Sequence, residues 1–231
     1  AGWAWAGNTP FHHTKLVASH FGGTRNPMAI SWPRRITPDG VMRGQFHHVN
    51  AITPTIYEIL GITAPERVEG HEQKPLDGIS LAYTFDKPDE PGRKSLQYFE
   101  NAASRGIYQD GWYACAFGPF VPWDTAGTAA RMAAWNAETE PWELYYLPDD
   151  FSQANALAAE RPEKLNELKG LFKDVSRDNL VWPIGAGLWL RAHPEDRISS
   201  PYTRWRFDTS CTRMPEFTAP GLGRQDSRVE I

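Results

Sequence analysis

The residues best suited to chemistry crowd into one stretch, residues 8–33, which reads NTPFHHTKLVASHFGGTRNPMAISWP. His12, His13, Lys15 and His20 follow one another closely there. Imidazoles titrate near neutrality and can give or take a proton, whereas an ammonium is a compact positive charge able to hold an anion. Such a set suits a place where negative charge gathers on oxygen, provided the surrounding chain holds it still.

The elements that must hold it can be read on either side. Residues 28–32 (MAISW) form a short apolar run closed by Pro33, which cannot donate to a ladder, and this predicts a buried strand. Gly22-Gly23 predicts a tight turn that brings that strand in. Further on, Thr53-Pro54 reads as an N-cap and first helical position, with Ile56, Ile59 and Leu60 as an apolar stripe and Gly61 as the C′ residue. This predicts a short helix that begins a turn earlier. His47-His48 ahead of it read as capping or interface residues, since no third ligand stands at a useful spacing for a metal.

Residues 66–92 are rich in Pro, Gly and charge and predict a surface connection, so the chain divides there. Residues 95–99 and 105–109 then have strand composition, and Asp110-Gly111 leads into residues 112–117. An Asp-Gly pair between two such runs signals a hairpin, because both residues tolerate positive φ. Residues 142–147 predict a further strand, ended by Pro148-Asp149-Asp150. In residues 162–176, Leu165, Leu168, Leu171, Phe172 and Val175 recur at three and four, which predicts a helix with one face on the sheet. The expected organisation is an α/β block over 1–92, a small antiparallel sheet with one packed helix over 93–177, and an irregular extension over 178–231.

Composition narrows the classes. The 231 residues are 41% apolar, enough for a substantial core. A net charge of -4, with bases scattered among acids, gives no footprint for nucleic acid. No apolar run approaches the roughly 20 residues needed to span a bilayer. The start, AGWAW, lacks an initiator Met, a basic segment and a long apolar core, so a chain that begins mid-protein is expected rather than a signal peptide. Cys115 and Cys211 stand far apart, which supports neither a CxxC zinc site nor a disulfide framework. The compartment stays open between bacterial cytoplasm and periplasm.

Taken in order, residues 8–33, then FHHVNAITPTIYEILGI, LDGISL, YFENAASRGIYQDGWYACAF and WELYYLPDDFSQANALAAERPEKLNELKGLF, resemble the C-terminal third to half of a bacterial arylsulfatase of the sulfatase family. The resemblance covers most of residues 8–172. Two departures stand out. The family usually places Glu directly before the two glycines, where this chain has His20-Phe21, and an acidic residue before the Pro-Thr pair is replaced by Asn50 or Ala51.

The resemblance implies an alkaline-phosphatase-like fold of which residues 1–92 end the central sheet, and hydrolysis of a sulfate ester, aryl sulfate to phenol plus sulfate, by a longer protein. It implies a formylglycine nucleophile made from a Cys-x-Pro/Ala-x-Arg motif and a divalent metal, usually calcium, held by Asp and Asn residues. Neither cysteine has that spacing and the family's ligand set is not present, so the missing N-terminal part of the same enzyme is the expected partner and this chain alone is expected to be inactive. Lys15 is the implied sulfate contact. His20 is a second candidate for a catalytic role, and His12 and His13 are candidates for the substrate mouth or for protonating the leaving oxygen. Trp112 and Trp123 read as core or interface residues or, alternatively, as flanks for an aryl group. A phosphate or phosphonate ester hydrolase of the same superfamily and a non-catalytic binding or assembly module stay as alternatives.

Overall fold

The computed structural model describes residues 2–37, 39–124, 126–184, 204–207 and 228–230. The chain divides into two compact units, residues 1–185 and 186–231. The first contains both the 1–92 and the 93–177 segment. Most of the expected 178–231 extension lies outside the described residues, as does Cys211.

From the N-terminus the first unit runs through α1 (Gly2–Ala6), α2 (Phe21–Thr24) and α3 (Ile52–Leu60), then a two-strand hairpin of β1 (Arg67–Val68) and β2 (His71–Glu72). There follow β3 (Leu96–Asn101), β4 (Ser104–Gln109), β5 (Trp112–Ala116), α4 (Thr128–Ala134), β6 (Glu143–Tyr146) and α5 (Pro162–Asp178). Strands β3 to β6 make one antiparallel sheet in sequence order. The Asp110-Gly111 turn closes β4 on β5 with φ of 47° and 88°, as the hairpin signal requires.

Register decides which side chains share a face. Directly opposed residues in an antiparallel pair point the same way, and Ala114 is paired with Ile107 and Leu144. These three meet Leu168 and Phe172 of α5 in one buried cluster. On the other face Tyr113 is paired with Tyr108 and Tyr145, and Cys115 with Glu143. Phe21 packs into that second cluster, so the N-terminal segment covers the face that α5 leaves free.

Several expectations are corrected. Residues 28–32 form no strand, and Met28 and Ile30 are exposed. A strand exists only with a partner for its backbone groups, and no described segment offers one. The α3 helix begins at Ile52, so Thr53 lies inside it. A 3-10 turn over Val49–Ala51 precedes it, capped by the His48 ring accepting from Asn50 N at 3.4 Å. Gly61 is the left-handed C-terminal residue, with φ 64°. The 66–92 segment is not surface throughout: Leu81 and Phe85 are buried with Ala51, and Leu81 N donates to Thr55 Oγ1 at 2.9 Å.

Gly22-Gly23 also differ from expectation, because both lie within helical α2 rather than at a turn. Their role is close approach. A Cβ on Gly22 would sit 2.1 Å from the His13 carbonyl oxygen, and one on Gly23 2.0 Å from that of Val17. Only hydrogen fits where the histidine-rich loop crosses the helix.

Candidate functional site

Residues 17–21 are a continuous buried run on the second face of the sheet. Its peptide groups find partners one by one, as a buried segment without a ladder requires. Ser19 N donates to Ser104 Oγ at 3.0 Å, and Tyr113 Oη donates to the Ala18 carbonyl at 3.1 Å. The Gln153 side-chain amide takes the place of a neighbouring strand, accepting from Phe21 N at 2.8 Å and donating to the Ser19 carbonyl at 3.2 Å. Gln153 is itself 1% exposed and has a φ of 61°. This fixation sets the position of His20.

The His20 ring is 4% exposed and both of its nitrogens are occupied. Nδ1 is 2.8 Å from Ser19 Oγ, and Nε2 is 3.1 Å from Glu143 Oε2. Ser104 Oγ extends the chain by donating to Ser19 Oγ at 3.1 Å, and Tyr145 Oη donates to Glu143 Oε2 at 2.7 Å. The Cys115 thiol lies 3.9 Å from the same carboxylate oxygen and accepts from Gln153 Nε2 at 3.8 Å. Glu143 is the member that reaches solvent, with its side chain 46% exposed.

The electrostatics follow from this packing. The His20 hydrogen bond holds the Glu143 carboxyl below its usual range, with burial opposing and Tyr145 assisting. Burial, reinforced by the Glu143 charge, pushes the Cys115 thiol well up, so it stays protonated near neutrality. Burial lowers His13 to about 4, with His20 and His12 adding repulsion and Glu143 partly offsetting it. At pH 7, His13 is therefore neutral.

The other expected residues cluster around this core. The His13 ring lies 4.5 Å from that of His20 and stacks on Trp123 at 5.7 Å, and Phe117 closes the far side at 4.9 Å. The His12 ring stacks 6.1 Å from that of His20. Lys15 is exposed and has no ion-pair partner among the described residues. Trp123 is 46% exposed at this histidine cluster, whereas Trp112 packs against Tyr146 and the α5 side of the sheet. Glu143, Tyr145 and Gln153 carry no motif in the sequence, and Cys115 enters there only as a cysteine without zinc, disulfide or formylglycine spacing. The available signal was alternation: Cys115 and Tyr113 fall on one strand face, as do Glu143 and Tyr145.

The groups implied by the resemblance do not fit the residues present. Calcium takes six to eight oxygen ligands. Among the described residues the one group placed to hold a metal ion is His20, Cys115 and Glu143, whose donors are one nitrogen, one sulfur and one carboxylate. Cys115 is fully buried and protonated, which does not fit an exposed nucleophile or its precursor.

No protein-family model matches the chain, and no curated protein does. Solved structures do. A crystal structure of Ps i-CgsB shares 18% identity at a TM-score of 0.56, covering 82% of this chain and 38% of that one. BT33336S-sulf of Bacteroides thetaiotaomicron, described with a versatile core genetic locus that orchestrates metabolism of multiple glycosaminoglycans, shares 19% identity at a TM-score of 0.50. That match covers 69% of this chain and 30% of the other. The described chain is thus similar in fold to part of a sulfatase. It spans between a third and two fifths of the length of the first of these structures and under a third of the second. Among the described residues no helix is long and apolar enough to cross a membrane.

Proposed function

We propose that this chain is part of a sulfate-ester hydrolase of the alkaline-phosphatase-like sulfatases, and that Lys15 binds the sulfate group. The observation that carries the reading is the likeness in fold to BT33336S-sulf at a TM-score of 0.50 over 69% of the chain. The placement of Lys15 supports it. A cation that is exposed, without an ion-pair partner among the described residues and five positions from a tightly anchored histidine, is available to an anion. As the ester bond breaks, charge spreads over the sulfate oxygens, and a fixed ammonium stabilises it more than it stabilises the ground state.

In this reading the neutral His13 does not compete with Lys15 for the anion's charge. It forms a rim with Trp123 and Phe117 that suits the flat leaving group of an aryl sulfate. His20, with both ring nitrogens held, positions the loop rather than touching substrate. The nucleophile comes from the part of the protein this chain does not contain, so the chain by itself is inactive.

The test uses the longer protein that carries this sequence, with 4-nitrophenyl sulfate as substrate. Lys15→Ala should lower kcat/KM by about 100-fold or more, on the order of 3 kcal/mol of transition-state stabilisation. The melting temperature should stay unchanged, because an exposed side chain supports no packing. Turnover that survives Lys15→Ala undiminished would overturn the assignment.

A further inference from the structure

We propose that His20 Nε2, Cys115 Sγ and Glu143 Oε2 form a binding site for a zinc ion. The three ligand atoms lie within 4.8 Å of one another. In a tetrahedral zinc site with bonds of about 2.0–2.3 Å, ligand atoms stand about 3.4 Å apart. Here the nitrogen–oxygen separation is 3.1 Å, the sulfur–oxygen separation 3.9 Å, and no pair exceeds 4.8 Å, so side-chain movements of up to about an ångström close the set on a metal ion. Nitrogen, thiolate and a single carboxylate are a borderline-soft donor set, which selects zinc over calcium or magnesium.

The surroundings meet the further demands of such a site. Cys115 and Glu143 are held by the β5–β6 register, and His20 by the anchored 17–21 run, so the donors sit on rigid backbone. A metal-bound imidazole donates its other N–H to a nearby oxygen, and Ser19 Oγ stands 2.8 Å from Nδ1 to accept it. A hydroxyl serves either tautomer: it donates to Nδ1 when Nε2–H bonds Glu143, and accepts from Nδ1–H when Nε2 binds metal. Tyr145 orients the carboxylate in the same way. Thiolate and carboxylate neutralise the dication, and the thiol proton leaves to solvent as zinc enters. Entry is open on the Glu143 side. A further nitrogen is close by: His13 Nδ1 is buried without a hydrogen-bond partner, and its ring is 4.5 Å from that of His20.

This inference does not rest on sulfatase activity, and its test reads none. The purified protein is titrated with Co²⁺, whose thiolate complexes absorb strongly in the near ultraviolet. One Co²⁺ should bind per chain with that band, excess Zn²⁺ should abolish it, and excess Ca²⁺ should leave it intact. Cys115→Ala should remove the band and Cys211→Ala should retain it. Glu143→Gln, which preserves side-chain volume, should weaken Zn²⁺ binding by more than the roughly 10–100-fold that losing an outer-shell partner costs. A folded wild-type protein that shows no band overturns the proposal. So does a band that persists in Cys115→Ala, or Zn²⁺ binding that Glu143→Gln leaves unchanged.

Discussion

Removing the Glu140 carboxylate should destabilise the fold severely. Its partner Arg105 is a guanidinium only 1% exposed, and Nη1 meets Glu140 Oε2 at 2.6 Å. The same guanidinium donates to the Ala103 and Ala137 carbonyls at 3.0 Å and lies 4.9 Å over the Trp142 ring. Glu140 accepts in addition from Gly118 N at 2.6 Å and Trp135 Nε1 at 2.9 Å. Glu140→Ala therefore strands one buried cation and two half-buried donors. Breaking a buried pair from one side costs about 3–5 kcal/mol. For a chain of this size each kcal/mol shifts the melting temperature by roughly 2–4 °C, so a fall of about 6–20 °C is expected. Urea unfolding followed by tryptophan fluorescence measures it, since Trp135 and Trp142 flank the pair. The double variant Arg105→Met with Glu140→Gln removes both charges and keeps one amide oxygen, for Gly118 N or for Trp135 Nε1, so it should recover part of the loss. A cost for Glu140→Ala below about 1 kcal/mol would refute the reasoning, because it would mean that the guanidinium remains solvated.

Two smaller predictions concern other parts of the fold. At the Asp110-Gly111 turn, Gly111→Val should cost on the order of 1 kcal/mol or more, read as a lower urea midpoint. The new Cβ would need φ of 88° and would meet Pro148 at 3.2 Å, so an unchanged midpoint would argue against that geometry. Stability should also fall as pH drops through the histidine range. Burial lowers His47 and His48 below 6.5, so the unfolded chain binds more protons there and acid favours it. Unfolding midpoints measured at pH 7.5 and 5.5 should differ less in a His47→Gln, His48→Gln variant than in the wild type, and an identical difference would sink the attribution.

What the sequence disclosed depended on whether the cause was local. The Asp-Gly turn, the Gly61 cap and the three-and-four period of α5 act within a few residues, and each appears in the structure where its pattern stands. The turn from β3 to β4 carries no such signal. Ala102 and Ala103 adopt φ of 53° and 69° without glycine or asparagine, and Ala103 is fully buried, so tertiary packing imposes a conformation that propensity disfavours. Residues 28–32 fail for the converse reason: apolar composition marks them for burial, but a strand also needs an edge, and no pattern inside the run says who supplies it.

The candidate site divides along the same line. The histidines and Lys15 announced themselves by crowding into one stretch, whereas Glu143 and Cys115 looked unremarkable at separations of more than ninety residues from His20. Sheet register joins them. Because Cys115 is opposed to Glu143 and Tyr113 to Tyr145, one face of β5 and β6 carries a thiol, a carboxylate and two phenols. The 17–21 run can lie on that face only if its peptide groups are satisfied there, which is what Gln153, Ser104 and Tyr113 do. Anchoring of the histidine loop and assembly of the His20–Cys115–Glu143 cluster are thus one event. A substitution at Gln153, which touches none of the histidines, should loosen both together.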